Sequence, residues 1–257
     1  MTIRVGFENL PMPLVRHLQD SITTWPVQPH FYHVTEIIYC LRRAWYKRTH
    51  PERVELSVRS LWNIYRGNTF DRKWTSLFPV HQKNYKVKRD GITITGTCDF
   101  VYDDGDGDII YDLKMPSSTF FKKRGGAGQG YRRQVQTYLS LAHANGELLD
   151  VHRARVLMVA EDVVVEEVEE WPGMLDSWVW PRALALDAAL RVGSPVGLPT
   201  AEEGWECGVD PEGAPYCPVD PYFRKTCEMA KRQRKLEVPL KEPLEEEPVP
   251  RGNVNEL

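Results

Sequence analysis

The stretch Gly96-Thr97-Cys98-Asp99-Phe100-Val101-Tyr102, followed by Asp103-Asp104-Gly105-Asp106-Gly107-Asp108 and then Ile109-Ile110-Tyr111-Asp112-Leu113-Lys114, decides how this chain reads. Two β-rich runs flank a Gly/Asp turn, the pattern of an antiparallel hairpin. With Gly105 and Asp106 as the two loop residues, Asp103 opposes Asp108, Val101 opposes Ile110, and Asp99 opposes Asp112. Side chains alternate along a strand, so Asp112 and Lys114 share a face with Leu113 behind them. Facing carboxylates repel each other, and both stand inside β-type runs where Asp is disfavoured. A hard divalent cation, which takes oxygen ligands, reverses that sign. The residues from Asp103 to Asp108 read differently, as ordinary turn formers. They do not make a calcium loop, because Ile109 and Met115 stand where Gly and Glu are required. A one-residue slip would part Asp99 from Asp112, and alternation alone does not fix the register.

Downstream, Tyr131 to Ala144 reads as a helix that stops at Asn145-Gly146. Val135, Tyr138, Leu139 and Ala142 follow helical spacing, and Gln134 shares a face with Tyr138 four residues on. Read alone, Tyr138 is core and Gln134 a solvated neighbour.

Taken in order, G-x-x-D (Gly96, Asp99), D-x-K (Asp112, Lys114) and Q-x-x-x-Y (Gln134, Tyr138) resemble the PD-(D/E)XK nucleases of the RecB type. The resemblance implies that Asp99, Asp112 and the Leu113 carbonyl hold one or two magnesium or manganese ions. It further implies that Lys114 orients or activates the attacking water, and that Gln134 and Tyr138 position the metal site and DNA. The family also carries a metal-ligating His shortly after a Gly on an upstream helix. Here Gly67-Asn68-Thr69-Phe70-Asp71 has Asp71 in that place, a departure, although an aspartate can ligate a hard cation.

Five cysteines form a second constellation: Cys40, Cys98, Cys207, Cys217 and Cys227. No N-terminal stretch has the character of a signal peptide, so a reducing cytoplasm is expected and disulfides are not. Cys98 alternates away from Asp99 and reads as a small buried hydrophobe. Cys40 falls on a segment read as one helix, Thr35 to Lys47, while the last three lie among prolines and glycines. One distant cysteine before the nuclease motifs and three after them resembles the iron–sulfur branch of the family. That branch includes the stand-alone CRISPR-associated exonucleases and the nuclease domains of some helicase–nucleases. The resemblance implies a cluster, 4Fe-4S rather than 2Fe-2S, that Cys40, Cys207, Cys217 and Cys227 hold to staple the two ends of the chain. The later cysteines are more widely spaced than is usual in that branch. Zinc, which also suits four thiolates, and plain buried thiols are the other readings.

Length and composition agree with an intracellular globular enzyme. The chain has 257 residues and a formal net charge of -3, with no run long enough to span a membrane. The total charge does not announce a nucleic-acid binder, but local patches outweigh totals. One patch is Arg42, Arg43, Lys47 and Arg48 with Trp45 and Tyr46. Another is Lys122, Lys123, Arg124, Arg132 and Arg133 around the Gly125–Gly130 run. Each suits backbone contact and base stacking on single strands, or equally a solvated helix face. The glycines form no P-loop, since the Lys-Ser/Thr ending is missing.

The expected architecture is α/β: a restriction-endonuclease-like core with a mixed β-sheet flanked by helices, and a Cys-stapled subdomain built from both termini. Residues 1–50 would carry the first cluster cysteine, 51–170 the nuclease core, 171–235 a C-terminal helix and Cys-rich segment, and 236–257 a disordered tail. Up to about Pro29 the prolines suggest an irregular lead-in. The resemblance implies a metal-dependent exonuclease acting on single-stranded DNA ends, in CRISPR spacer acquisition or viral DNA processing, with integrase proteins or a helicase as partners and no membrane. A non-cleaving, cluster- or zinc-stapled DNA-binding subunit is the alternative.

Overall fold

Strand periodicity in the quoted stretch is realised as the middle of a mixed sheet. The computed structural model describes residues 10–21, 27–51, 58–105, 107–116 and 126–199. The chain runs α1 (Met12–Asp20), β1 (Phe31–His33), α2 (Val34–Ile37), α3 (Leu41–Thr49), α4 (Val58–Thr75), β2 (Val80–Arg89), β3 (Ile92–Asp103), β4 (Asp108–Lys114), α5 (Gln129–Ala144), β5 (Arg153–Val159), β6 (Val163–Glu169) and α6 (Trp180–Val192). A π-helical turn, Leu175–Val179, leads into α6.

The six strands form one sheet in the order β1-β3-β4-β5-β6, with β2 on the far edge of β3. Strand β3 is long enough to serve several partners. Its first half pairs with β1 in parallel, and its last residues pair with β4 in antiparallel fashion. Both lie on the same edge, because β2 covers the other from Arg89↔Ile92 to Val80↔Val101. Between Thr95, the last β1 partner, and Phe100, the first β4 partner, that edge of β3 is unpaired. Gly96 to Asp99 occupy the seam. The β4–α5–β5 connection joins parallel neighbours, which is what a helical crossover does.

The main core lies between the sheet and α2, α3, α5 and α6, and includes Tyr32, Ile37, Leu41, Tyr85, Ile94, Val101, Ile110, Val135, Leu139, Met158 and Leu186. On the other face Phe100 stacks between Phe78 and Tyr111, at 3.8 and 4.8 Å between ring centroids. Among the described residues, no helix is long and apolar enough to cross a membrane.

Four local expectations change. The hairpin loop spans residues 104–107 rather than two, because the Asp103 carboxylate accepts from the amides of Gly105 and Gly107 at 2.8 and 3.0 Å. The lead-in contains α1, for the prolines Pro11 and Pro13 stand at its start, where a missing N–H costs nothing. The three-residue β1 gives too little alternation to be seen in advance. Lastly, the helix expected over Thr35 to Lys47 is two helices with a break at Ile38–Cys40. Arg182 of α6 takes the carbonyls of Ile37 and Tyr39 at 2.7 and 2.6 Å, and Cys40, extended at φ -55 and ψ 116, becomes the N-cap of α3.

Candidate active site

The β3–β4 ladder pairs Val101 with Ile110 and Asp103 with Asp108, the register that sets Asp99 across from Asp112. At the seam the ladder gives way to side chains. The Asp99 carboxylate accepts the Leu113 amide at 2.5 Å in place of a backbone carbonyl. A residue's N–H and C=O face the same edge of a strand, so the Leu113 carbonyl faces the Asp99 side too. Asp112 is buried, and its Oδ2 lies 2.6 Å from the Lys114 ammonium. That ion pair with Lys114 is the contact Oδ2 makes, and no other described residue donates to it.

Electrostatics follow from this crowding. Burial pushes the Asp99 carboxyl well above the usual carboxylate range, the Asp112 charge adds to it, and Lys114 opposes. Burial raises Asp112 as well, again against Lys114. For Lys114, burial alone would favour the neutral amine, but Asp112 and Asp99 outweigh it and hold the ammonium. Lys114 is therefore a donor and a positive charge here, not a proton acceptor.

Helix α5 closes the site from above. Gln134 donates from Nε2 to Tyr138 Oη at 2.6 Å, with both side chains buried. Burial and then the Asp112 charge raise the Tyr138 hydroxyl. Tyr138 also explains Gly96, since a Cβ there would stand 2.7 Å from its ring and 2.7 Å from Val34. The glycine lets α5 lie against the seam. Asp71, on α4, accepts from Gln82 Nε2 at 3.1 Å; burial raises its carboxyl, with Lys114 opposing and Asp112 adding. Asp99, Asp112, Lys114, Tyr138, Gln134 and Asp71 thus form one electrostatic neighbourhood. Among the described residues, however, no three His, Cys, Asp or Glu side chains converge as a ready-made metal cage.

Three residues of this neighbourhood had no sequence signal or a missed one. Gln82 has a left-handed backbone (φ 49) and is skipped in the β2–β3 ladder opposite Asp99, a strained conformation that propensity does not reveal. Tyr39 packs on Gly130, where a Cβ would meet its ring at 2.9 Å, and burial pushes its hydroxyl up to about 12 with Lys114 opposing. Tyr131 sets its ring 5.4 Å from Lys114 Nζ. Its spacing seven residues before Tyr138 could have marked it.

Cysteines and basic patches divide differently. Cys40 and Cys98 are buried, and burial followed by the Asp99 charge pushes the Cys98 thiol up to about 12. Cys207, Cys217 and Cys227 lie outside the described residues, as do Lys122, Lys123 and Arg124. Three residues of the first basic patch hold the fold together. Arg48 pairs with Glu36 at 2.7 Å and bonds the Phe31 carbonyl at 2.6 Å, Arg42 bonds the Leu198 carbonyl at 3.1 Å, and Trp45 is core. From the second, Arg132 pairs with Glu166 at 2.6 Å and Arg133 stacks on Trp171 at 4.3 Å.

No protein-family model matches the chain, and no curated protein matches it. A solved structure named SSO0001 is similar over 80% of this chain and 91% of its own, at a TM-score of 0.53 and 15% identity. That likeness is one of fold. A second, from Eubacterium rectale, whose own exonuclease assignment is provisional, is 15% identical over 72% of this chain and 77% of that one. Its TM-score of 0.29 is too low to carry an argument.

Proposed function

We propose that the chain is a metal-dependent DNA nuclease with a restriction-endonuclease-like core, most like the stand-alone CRISPR-associated exonucleases. One observation carries the reading: a buried aspartate, Asp112, and a partly buried one, Asp99, face each other across a hairpin, and among the described residues one lysine compensates them. A buried structural carboxylate is ordinarily bonded by several donors, whereas Asp112 Oδ2 has Lys114 alone among the described residues.

The donor set fits a small hard cation. Asp99, Asp112 and the Leu113 carbonyl would hold magnesium or manganese, which commonly use one or two carboxylates with water and substrate oxygens completing the shell, so a closed cage is not required. Asp71 would be a further oxygen ligand. Such a cation, when bound, polarises a phosphate and lowers the pKa of its water. The rest is done by the chain. Lys114, held protonated, stabilises charge developing on the phosphate oxygens. Tyr138, fixed by Gln134, walls the carboxylates from bulk water and keeps α5 in place. Tyr39 and Tyr131 confine the ammonium, and Gln82 aims Asp71.

The cysteine cluster is proposed from the sequence. Cys40 is buried at the start of α3, and Arg42 ties that turn to the Leu198 carbonyl, from which the chain leads on to Cys207. Anaerobically prepared protein should show broad visible absorbance that Cys40→Ala removes; a colourless protein containing zinc would overturn the iron–sulfur assignment.

The deciding experiment is cleavage of end-labelled single- and double-stranded DNA with manganese or magnesium, wild type beside Asp112→Asn. Stepwise shortening of single strands by wild type alone is the expected result. If both proteins bind DNA and neither cuts it, the chain is a non-cleaving subunit.

A further inference from the structure

Helix α4 carries a feature that the carboxylate site does not use. Trp62, Tyr65, Arg66, Phe70, Lys73 and Trp74 recur at helical spacing and, with Met115, line a groove of about 300 Å³. A helix face this apolar ordinarily packs on a core. Here Trp62 and Trp74 are 39% and 38% exposed. The aromatics form two groups, Trp62 with Tyr65 at 6.2 Å between centroids and Phe70 with Trp74 at 4.3 Å. Twelve residues of helix separate the outer tryptophans, a span of about 18 Å.

Charge selects the occupant. From Leu61 to Thr75 the helix has Arg66, Arg72 and Lys73 against one acid, Asp71, in a chain whose net charge is -3. Asp71 is turned to Gln82 and the carboxylate neighbourhood. The groove therefore presents aromatic rings with cations between them. It also adjoins the reacting end of the site, because Met115 directly follows Lys114. Arg66 ties the two together by donating to the Met115 carbonyl at 3.2 Å, while its buried Nε has no hydrogen-bond partner among the described residues.

We propose that this α4 groove is a single-stranded DNA platform, in which bases stack on the Trp62/Tyr65 and Phe70/Trp74 groups while Arg66 and Lys73 meet the phosphates beside the carboxylate site. The polymer's identity rests on the nuclease reading. Stacking on aromatics needs exposed base faces, which a duplex does not offer, and is tolerant of sequence. The groove would thus supply the preference for single strands.

The test is binding of a fluorescein-labelled oligothymidine and of an abasic oligomer of equal length, by the full chain carrying Asp112→Asn so that nothing is cut. Trp62→Ala/Trp74→Ala and Trp62→Phe/Trp74→Phe are made on the same background. The expected result is oligothymidine binding weakened about ten- to thirtyfold in the alanine pair, restored in the phenylalanine pair, and abasic binding equal in all three. Melting curves of the three proteins separate a binding loss from a folding loss; should the alanine pair unfold, Trp74→Phe against Trp74→Leu reads the same contrast. Equal affinity for oligothymidine and abasic oligomer in every protein overturns the platform. So does self-association that the alanine pair abolishes without change in DNA binding, since a second copy would then fill the groove. The outcomes part from those of the cleavage assay. Base-dependent binding without cleavage leaves the platform standing and removes the nuclease, and cleavage without base dependence does the reverse.

Discussion

Asp187 on α6 and Asp112 at the seam are buried aspartates, Asp112 with the partly buried Asp99 beside it, and the fold treats the two places in opposite ways. Asp187 accepts from Tyr32 Oη at 2.7 Å and from His30 Nδ1 at 2.6 Å, and forms an ion pair with Arg191 Nε at 2.9 Å. Burial would raise its carboxyl, but the Tyr32 and His30 hydrogen bonds and the nearby positive charge outweigh it, so the pKa falls. Asp187 is a rivet that joins β1 to α6. At the seam the balance is reversed: burial outweighs Lys114 at both carboxyls, the Asp112 charge adds to it at Asp99, and both are raised. Identical side chains with opposite shifts mean that one site was completed within the chain and the other was left open. Carboxyls perturbed by burial and by a specific charge partner mark a candidate functional site.

That contrast is broken most forcefully by exchanging which carboxylate is lost. Asp112→Asn should lower metal-dependent cleavage about a thousandfold or more, as loss of several kcal/mol of charge stabilisation requires. The same change should move the melting temperature of the metal-free protein little, because relief of the repulsion on Asp99 is offset by loss of the Lys114 ion pair. Asp187→Asn should do the reverse. It removes the charge that Tyr32, His30 and Arg191 face and costs about 2 kcal/mol of stability, a drop in Tm of about 4–8 °C, with turnover per folded molecule unchanged. Thermal melts beside cleavage rates check both; an Asp187 variant that folds well but cannot cut would place it in the machinery.

A smaller and sharper test falls on the glycine of the seam. Gly96→Ala puts a methyl group 2.7 Å from both Tyr138 and Val34, within a packed core. The cost should be about 1–3 kcal/mol by overpacking. If Tyr138 only filled space, Gly96→Ala/Tyr138→Phe would be no better. If its hydroxyl holds α5 in register through Gln134, Tyr138→Phe alone should lower cleavage severalfold with little change in Tm.

The hairpin was legible because its physics is local: apolar Val101 and Ile110 on one face, Phe100 and Tyr111 on the other, and a Gly/Asp turn between. Alternation likewise marked five of the six strands of the mixed sheet, β1 being too short to show it. Less local features were not visible. The break before Cys40 depends on Arg182, which lies 145 residues beyond Ile37. The left-handed Gln82 comes from sheet geometry against Asp99, which no propensity encodes. The partners of Arg42, Arg48 and Arg132 were hidden for a related reason, since these side chains find their carbonyls and carboxylates only once the chain has folded. The aromatics of α4 were in plain view, but exposure, and not identity, is what distinguishes a platform from a core stripe.

Acidity supplies the finest separation of the two carboxylate sites. A carboxyl whose pKa is lowered by folding adds stability above its unfolded value, near 3.9, and loses it as pH falls through the folded value. Asp187 behaves so, and its contribution is constant from pH 5 to 8. A raised carboxyl does the opposite: the folded state binds more protons than the unfolded one above about pH 4, so stability declines as pH rises. The metal-free protein should therefore lose stability between pH 5 and 8 by about 1 kcal/mol or more, and Asp99→Asn should flatten that slope. Manganese should reverse it, stabilising the chain more at pH 8 than at pH 6, because the ligands must shed their proton to bind. Urea titrations across that range, with and without manganese, measure both slopes. A slope that persists in Asp99→Asn would assign the pH dependence to groups away from the seam and remove the electrostatic distinction between the two sites.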